Sequence, residues 1–255
     1  MAKIIAVTNQ KGGVGKTTTT INLGTYLAKA RQRVLVVDLD PQGNTSSGLG
    51  IDKQAISQDL YSVLIEGVHP SKTIIRTPFH GLEILPAAPI LAAAEVELVG
   101  TPAREFRLQR ALRDLEYDFI LIDCPPSLGL LTINGLVAAN SVMIPVQAEF
   151  YALEGLGQLM TTVQRVKKAL NPNLDLLGVL VTMHNGRTTL SAQVYDEVKR
   201  HFPDKTFDTI IPRNVRLAEA PSFGKPISHY DKWSKGAKGY KQLANEVLKR
   251  TSNGS

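Results

Sequence analysis

Short runs of consecutive apolar residues recur along the chain, and polar stretches with helical spacing separate them. The runs are rich in Val, Ile and Leu, a composition typical of strands buried on both faces of a parallel sheet. Strands that alternate with helices in this way predict an α/β fold. The predicted strands are 4–7, 34–37, 82–85, 119–122, 141–146, 176–182 and 207–211.

Helical spacing is clearest in the segment 104–115 and in the tail that begins at residue 234. The apolar stripe of the tail consists of Tyr240, Leu243, Ala244, Val247 and Leu248. Because this stripe lacks Phe and Trp, we expect it to pack on the domain rather than on a membrane. Other predicted helices are 60–65, 130–139, a long helix ending near 170, and 190–201. The pattern predicts a doubly wound, mostly parallel sheet flanked by helices, in a single domain spanning 1–255.

Composition narrows the location and the partners. The single cysteine, Cys124, excludes an intrachain disulfide and fits a reducing compartment. The chain contains no apolar stretch long enough to span a bilayer and no signal peptide, so we expect a cytoplasmic protein without stable membrane association. Residues 183–255 contain 13 Lys and Arg against 7 Asp and Glu, and so account for the whole net charge of +6. A segregated basic region suggests a polyanionic partner, DNA in the first instance, although a solvated surface is the alternative.

A glycine-rich segment joins the first predicted strand to the first predicted helix. Glycines let backbone N–H groups converge on an anion, and the following helix points its positive dipole end at the same place. Lys16 adds a mobile cation for the outer phosphates, and the Thr17 hydroxyl can ligate Mg²⁺. The segment therefore predicts a site for a magnesium-bound nucleoside triphosphate. Its residues are Lys11, Gly12, Gly13, Val14, Gly15, Lys16, Thr17 and Thr18.

Acidic residues follow two of the predicted strands. Asp38 and Asp40 come after the second strand, and Asp123 ends the strand 119–122. Open α/β sheets place their chemistry at such carboxyl ends. Asp38 is expected near the magnesium shell, and Asp40 can orient or deprotonate a water that attacks the γ-phosphate. The alternative is that either aspartate merely caps the following turn. Asp123 needs a cation or hydrogen-bond donors nearby, because an unpaired buried carboxylate is costly.

The glycine-rich segment departs from the general P-loop pattern at its start. Gln10 occupies the position of the first glycine, and Lys11 adds a second lysine at the loop entrance. Lys-Gly-Gly-x-Gly-Lys-Thr over 11–17 is the deviant P-loop of the ParA/MinD family. The chain resembles ParA-type chromosome and plasmid partition ATPases over nearly its whole length. Further matching motifs lie at 38–44, 123–129, 145–155 and 211–221.

The resemblance implies roles for individual residues. It gives Asp40 the catalytic role and makes Asp123 a magnesium ligand, usually through water. Lys11 is implied to reach across a dimer interface to the partner's nucleotide, and the loop 125–129 to sense the γ-phosphate. Pro212 and Asn214 are implied to border the adenine, although a proline turn after a strand is also common. The implied cofactors are ATP and Mg²⁺.

The resemblance also implies an ATP-dependent switch. ATP binding forms a homodimer, and the dimer binds double-stranded DNA without sequence preference on the nucleoid. A ParB-type centromere-binding protein then stimulates slow ATP hydrolysis, which releases both partner and DNA and drives chromosome or plasmid segregation.

The basic carboxyl-terminal region supplies the candidates for DNA contact. The resemblance favours Arg187 and Arg216, and charge alone suggests further lysines. Because no base-reading element is evident, we expect binding through phosphate with a strong salt dependence. Taken singly, each residue can instead be a solvated surface cation. The charge-based candidates are Lys199, Lys225, Lys232, Lys235 and Lys238.

Other functions use the same fold. A MinD-like membrane-positioning ATPase would require membrane binding through the tail, and a ParA-like ATPase can position another cargo, such as a chemotaxis array or a carboxysome. An enzyme such as a dethiobiotin synthetase would need a second substrate pocket. A nitrogenase-type iron protein is excluded by the single cysteine, since its cluster needs two cysteines per subunit. Because the first strand starts at once, we expect no amino-terminal helix-turn-helix domain.

Overall fold

A computed structural model describes residues 2–149 and 152–252. Seven strands form one sheet in the order β3-β4-β2-β5-β1-β6-β7, and only the short edge strand β3 runs antiparallel to its neighbour. β1, β2 and β5 are adjacent, so their carboxyl ends meet at one edge of the sheet. The strands are β1 Lys3–Val7, β2 Val34–Asp38, β3 Ile75–Arg76, β4 Leu82–Leu85, β5 Phe119–Asp123, β6 Ser141–Gln147 and β7 Asp175–Thr182.

Helices cover both faces of the sheet, and short 3₁₀ turns connect several of them. The helices are α1 Lys16–Lys29, α2 Asn44–Gly48, α3 Leu60–Leu64, α4 Leu91–Glu97, α5 Arg107–Leu112, α6 Leu130–Ala138, α7 Ala152–Ala169, α8 Thr189–His201, α9 Val215–Glu219, α10 Ile227–Tyr230 and α11 Lys235–Ser252. The predicted doubly wound α/β fold is therefore confirmed.

Alternate residues of the central strands supply two separate cores. Along β2, Val34 and Val36 face the layer that contains α1 and α11, whereas Leu35 and Val37 face the layer that contains α6 and α7. All four side chains are fully buried, as expected for a parallel sheet covered on both faces.

The tail helix α11 packs on the domain as predicted. Tyr240, Leu243, Ala244 and Val247 are buried in the same core as α1, and Leu248 is half-buried beside them. The Tyr240 hydroxyl lies 3.2 Å from Thr19 Oγ1, which ties the tail to the first helix. No helix in the part of the chain that the structure describes is both long and apolar enough to cross a bilayer.

The predicted strand 207–211 is wrong. This segment runs beside β7, but it makes only isolated pairings, Val179 with Thr206 and His184 with Pro212. The Glu246 carboxylate on α11 accepts hydrogen bonds from the backbone N–H groups of Asp208 and Thr209, both at 3.0 Å. Because a side chain takes these donors, the ladder to β7 is interrupted, and the seventh strand of the sheet is β3 instead.

The predicted helix 104–115 is also shorter and divided. A 3₁₀ turn, Arg104–Phe106, precedes α5, which ends at Leu112. The cause lies on α6, where Asn134 accepts from the backbone N–H of Leu108 (3.1 Å) and donates to the carbonyl of Arg104 (3.0 Å). These side-chain hydrogen bonds replace helical ones at the junction. Within the motif 145–155, Phe150 and Tyr151 lie outside the described residues.

We predict that Glu246→Ala lowers the free energy of unfolding by about 1–3 kcal/mol, because it leaves the two backbone donors of 208–209 without their acceptor. Urea unfolding followed by circular dichroism measures the change as a lower midpoint at an unchanged m-value. Asn245→Ala, at an exposed position of the same helix, is the control and should stay within about 0.5 kcal/mol of wild type. Equal stability of the two variants would contradict this account.

Candidate functional site

The glycine-rich loop between β1 and α1 forms an open, exposed cradle. Gly13 has φ 74° and Gly15 has φ 92°, values in the left-handed region that favours glycine. A Cβ placed on Gly12 would meet no atom within 4 Å. The carbonyl of Val14 is fixed from below, because Thr182 Oγ1 at the end of β7 donates to it at 2.7 Å. The loop therefore exposes backbone to an anion while its base is anchored to the sheet.

Lys16 begins α1 and folds back over the loop. Only 7% of the residue is exposed, and its Nζ donates to the carbonyl of Lys11 at 3.2 Å. Burial lowers the pKa of Lys16, and the carboxylates of Asp123 and Asp40 oppose that shift. A cation that is largely removed from water and turned toward the cradle is poised to bind phosphate oxygens.

Two buried carboxylates lie side by side next to this loop, because Asp38 and Asp123 are register partners on β2 and β5. Asp123 Oδ2 accepts from Thr17 Oγ1 at 2.7 Å and from Thr45 Oγ1 at 2.6 Å. Asp38 Oδ2 accepts from the backbone N–H and the hydroxyl of Ser46, at 2.8 and 2.7 Å. Within the described part of the chain, Asp38 Oδ1 is buried without a hydrogen-bond partner. The structure thus brings together the predicted residues Thr17, Asp38 and Asp123.

Burial dominates the electrostatics of this pair. It raises the pKa of Asp123 to about 6, and burial together with the Asp123 charge raises the pKa of Asp38 to about 8. A divalent cation would offset the unfavourable free energy of burying the two carboxylates in their charged form. The donor set fits Mg²⁺, since it consists of carboxylate and hydroxyl oxygens and includes an unpartnered Oδ1. The described residues contain no group of three or more His, Cys, Asp and Glu that could hold a metal ion.

Asp40 is nearly buried beside the site, with 9% of the residue exposed. Its Oδ1 accepts from the backbone N–H of Gln42 at 2.9 Å, which fixes the carboxylate at the start of a turn. Asp40 therefore caps the following turn, which is the alternative role that the sequence left open for it. It leaves the carboxylate close enough to Lys16 and Asp123 to act on the charges of both.

Lys11 takes a direction that the sequence did not predict. Its Nζ lies 2.9 Å from Glu149 Oε2, and both side chains are 46% exposed. Gln147, at the end of β6, donates to the other oxygen of Glu149. Glu149 therefore holds the loop-entrance lysine at the surface.

A cavity of about 410 Å³ opens beside the loop, and most of its wall is apolar. The predicted Pro212 and Asn214 both line it. Asn214 also caps α9, because its Oδ1 accepts from the backbone N–H of Arg216 at 3.0 Å. The size and lining of the cavity suit an aromatic ring. The wall consists of Gly15, Thr18, Thr182, Met183, Ile211, Pro212, Arg213, Asn214, Val215, Leu217, Ala218 and Tyr240.

A larger cavity, about 780 Å³, contains none of the predicted residues. Arg33, Gly81 and Tyr117 line it, and these residues precede β2, β4 and β5, so it opens at the amino ends of the strands. In parallel sheets, ligands bind at the opposite, carboxyl ends. The cavity beside the loop is therefore the better candidate.

The predicted DNA-contact residues divide into two groups. Arg187, Lys225 and Lys235 are exposed, and Arg216 is half-exposed beside two acids, with its Nη1 2.9 Å from Glu219 and its Nε 3.7 Å from Asp231. Lys199 belongs elsewhere, because its Nζ lies 3.6 Å from Asp208, a residue bound through its backbone by Glu246. α11 rises 1.5 Å per residue, so Glu246 lies about 16 Å along the helix from Lys235. Lys199, which is near Glu246 through Asp208, is therefore distant from Lys235. Lys232 and Lys238, the other charge-based candidates, are also exposed.

The sequence did not indicate several residues of the site. Thr45 and Ser46 bind the two buried carboxylates, yet their only signal is that they directly follow the acidic motif 38–44. Glu149 lies within the matching motif 145–155 and Thr182 ends the predicted strand 176–182, but no local pattern relates either residue to the glycine loop that it contacts.

Comparison with known proteins places these features in a family. A family model described as "AAA domain" matches residues 2–176. The chain is 57% identical over 249 residues to the sporulation initiation inhibitor protein Soj of Bacillus subtilis, covering 97% of this chain and 98% of that protein. It is 53% identical over 252 residues to the chromosome partitioning protein ParA of Myxococcus xanthus, covering 98% and 89% respectively.

A solved structure has the same fold over the full chain. The cobyrinic acid a,c-diamide synthase of Mycobacterium smegmatis, with a bound ATP analogue and magnesium, superposes with a TM-score of 0.88 at 39% identity. The match covers 100% of this chain and 98% of that one.

The buried carboxylates predict a pH dependence of stability without ligand. Unfolded aspartates release their protons near pH 4, whereas folded Asp123 and Asp38 retain theirs to about pH 6 and 8. Between these values the folded state binds more protons, so its free energy of unfolding falls as the pH rises. Because Asp38→Asn cannot ionise, its stability relative to wild type should increase by at least about 1 kcal/mol between pH 5 and pH 8.

Urea unfolding of nucleotide-free protein in EDTA, at four pH values, measures this difference. Asp114→Asn, at an exposed position, is the control and should show no such trend. A constant difference between Asp38→Asn and wild type over the whole range would contradict the assignment.

Proposed function

The chain belongs to the Soj/ParA family of chromosome-partitioning ATPases, and on this premise we propose that it binds ATP with Mg²⁺ and hydrolyses it to ADP and phosphate. One observation carries the proposal: the Thr17 hydroxyl of the glycine loop contacts a buried carboxylate, Asp123, which lies beside a second one, Asp38. Two adjacent buried acids next to an anion cradle need a cation, and a magnesium-bound triphosphate supplies one.

The loop and its neighbours divide the binding of ATP among them. The exposed backbone from Gly12 to Gly15 receives the phosphates, and Lys16 neutralises the outer ones. Thr17, Asp38 and Asp123 would hold Mg²⁺, and the bound ion would offset the negative charge of the phosphates. The cavity lined by Pro212 and Asn214 receives the adenine.

Asp40 is proposed as the residue that prepares the attacking water. Its carboxylate accepts a proton of that water as the water oxygen bonds to the γ-phosphorus. The bond between the γ-phosphorus and the bridging oxygen breaks, and that oxygen leaves with ADP. The hydrogen bond from the Gln42 backbone supports this role, because it fixes the carboxylate near Lys16 and Asp123.

We further propose an ATP-dependent homodimer in which Lys11 binds the partner's phosphates. Lys11 is exposed, and among the described residues its ammonium group pairs only with an exposed acid, a contact that contributes little free energy. Concentrated phosphate charge from a second subunit would therefore attract it away from Glu149. The open surface at Gly12 supports close approach of a partner at this loop.

DNA and a ParB-type centromere-binding protein are the proposed partners, in the cytoplasm at the nucleoid. The described chain acts as one ATPase domain whose basic surface binds DNA phosphates without sequence preference. The dimer aligns two such surfaces, so contacts that are weak singly become an effective site. The partner stimulates hydrolysis, which resets the switch and drives segregation of the chromosome or a plasmid. The proposed contacts are Arg187, Arg216, Lys225 and Lys235, whereas Lys199, the remaining candidate, lies apart from them beside Asp208.

The MinD-like alternative receives less support from the structure. A membrane-binding tail would need an exposed apolar face, but Tyr240, Leu243 and Val247 of α11 are buried against the domain. Positioning of another cargo is compatible with the same switch, since the nucleotide site does not specify the cargo.

The proposal predicts a pattern across three variants. Wild type should bind arbitrary-sequence duplex DNA with ATP but not with ADP or without nucleotide, and binding should weaken steeply with salt. Lys16→Ala should abolish ATP-dependent DNA binding. Gly12→Val should also abolish it, although valine fits the single chain because no atom lies within 4 Å. Asp40→Ala should still bind DNA but hydrolyse ATP at least about 100-fold more slowly.

Fluorescence anisotropy of a labelled duplex and phosphate release measure these effects. ATP binding by Gly12→Val, followed with a fluorescent ATP analogue, separates loss of the dimer from loss of the nucleotide. DNA binding that is absent in every nucleotide state, or that does not depend on nucleotide, would refute the proposed role in chromosome or plasmid partition.

A second prediction concerns Arg216. Arg216→Ala should weaken DNA binding severalfold and leave ATP affinity unchanged, because alanine keeps the backbone N–H that Asn214 binds at the edge of the adenine cavity. The same anisotropy and ATP-analogue titrations measure both affinities. Arg200→Ala on α8, where Arg200 pairs with Glu197, is the matched control and should behave as wild type. Parallel loss of ATP and DNA binding in Arg216→Ala would refute its assignment to DNA.

A further inference from the structure

An indole is exposed near the start of α11. Trp233 is 76% exposed, more than any other large apolar side chain in the described part of the chain. Tryptophan combines a large apolar ring with a polar N–H group, and for this reason it is enriched at interfaces with other molecules. Phe223, 61% exposed on the same surface, differs because its ring stacks on Tyr230 with centroids 5.1 Å apart.

The backbone that carries this indole is fixed. Asp231 Oδ1 accepts from the backbone N–H of Trp233 at 3.2 Å and of Ser234 at 3.1 Å. Ser234 then caps α11, because its Oγ accepts from the backbone N–H of Ala237 at 3.1 Å. The indole is therefore presented on a preorganised turn, which lowers the entropy lost when it makes a contact.

One lysine lies over the indole, and the segment that carries it is rich in lysine. Lys232 Nζ lies 5.2 Å from the centre of its ring. Residues 225–241 contain five lysines and a single acid, Asp231. Within the described chain, no carboxylate lies within 4.0 Å of any of these lysines, whereas Asp231 faces Arg216. The lysines are Lys225, Lys232, Lys235, Lys238 and Lys241.

Lys29, from α1, lies near the same surface. Burial lowers the pKa of Lys29, at the end of α1, and the nearby charge of Lys232 lowers it further. Burial likewise lowers the pKa of His229, and Lys29 and Lys225 add to the shift. These cations therefore lie close enough to repel one another, and a polyanion would relieve the repulsion.

We propose that Trp233 is a direct, uncharged contact to duplex DNA, packing against deoxyribose and the groove wall while the surrounding lysines neutralise phosphates. The inference rests on the proposed DNA-binding function. It adds a contact residue that the distribution of charge does not predict. An anionic membrane is the competing occupant, but a membrane-binding element needs an apolar face behind its aromatic anchor. Here the apolar face of α11 is buried against α1.

Salt dependence distinguishes this contact from an electrostatic one. Trp233→Ala should weaken ATP-dependent binding of a labelled duplex about tenfold at every salt concentration from 50 to 200 mM. The slope of log K against log salt should stay unchanged, because an indole neutralises no phosphate. Lys235→Ala should instead reduce the magnitude of that slope by about 0.9. Trp233→Phe should retain most of the affinity, and circular dichroism and basal ATP hydrolysis check that the variants are folded.

Fluorescence reports on the same residue directly, because Trp233 is the only tryptophan in the chain. Titrating unlabelled duplex DNA into the ATP-bound protein should change the Trp233 emission with the midpoint seen by anisotropy. Single-stranded DNA of equal length and anionic phospholipid vesicles are the comparison ligands.

The possible results distinguish failure of the Trp233 contact from failure of the proposed DNA-binding function. Duplex binding with unchanged emission, or with wild-type affinity in Trp233→Ala, overturns the inference and leaves the proposed function intact. A larger emission change with vesicles or single-stranded DNA than with duplex also overturns it. Absence of duplex binding in every nucleotide state removes the proposed function and this inference together.

Discussion

Two carboxylates buried side by side at the ends of β2 and β5 impose the main constraint on this molecule. Asp38 and Asp123 are fully buried, and hydroxyls from Thr17, Thr45 and Ser46 satisfy only part of their demand for donors. Burial therefore raises the pKa of both groups, and the site is unfavourable without a cation. The glycine loop, which exposes backbone N–H groups to an anion, lies next to the two carboxylates. A magnesium-bound triphosphate is the kind of ligand that satisfies both halves at once.

The short helix α9 links the nucleotide cavity to the basic surface. Its cap, Asn214, lines the cavity, and Arg216 two residues later belongs to the surface. Arg216 pairs with Glu219 and Asp231, and Asp231 also holds the turn that presents Trp233. One continuous set of contacts thus runs from the proposed adenine site to the proposed DNA site.

Local patterns predicted most of the framework because each buried strand and each glycine turn has a nearby signature. Six of the seven predicted strands are present, and the loop, Asp38 and Asp123 lie together. The two errors share a cause. At 207–211 and at 104–115, a side chain from a distant helix, Glu246 or Asn134, takes backbone groups that regular pairing would use. Such competition leaves no trace in the periodicity of the segment concerned.

The sequence by itself determined the fold class, the anion cradle and the acids at two strand ends, because these depend on spacing within short stretches. Only the tertiary structure decided which groups surround them. It paired Lys11 with Glu149, gave Arg216 two acidic neighbours, and left Trp233 uncovered among lysines. These relations join residues that folding brings together from distant elements, or depend on which side chains the fold leaves exposed. Spacing along the chain does not encode them, and packing in three dimensions does.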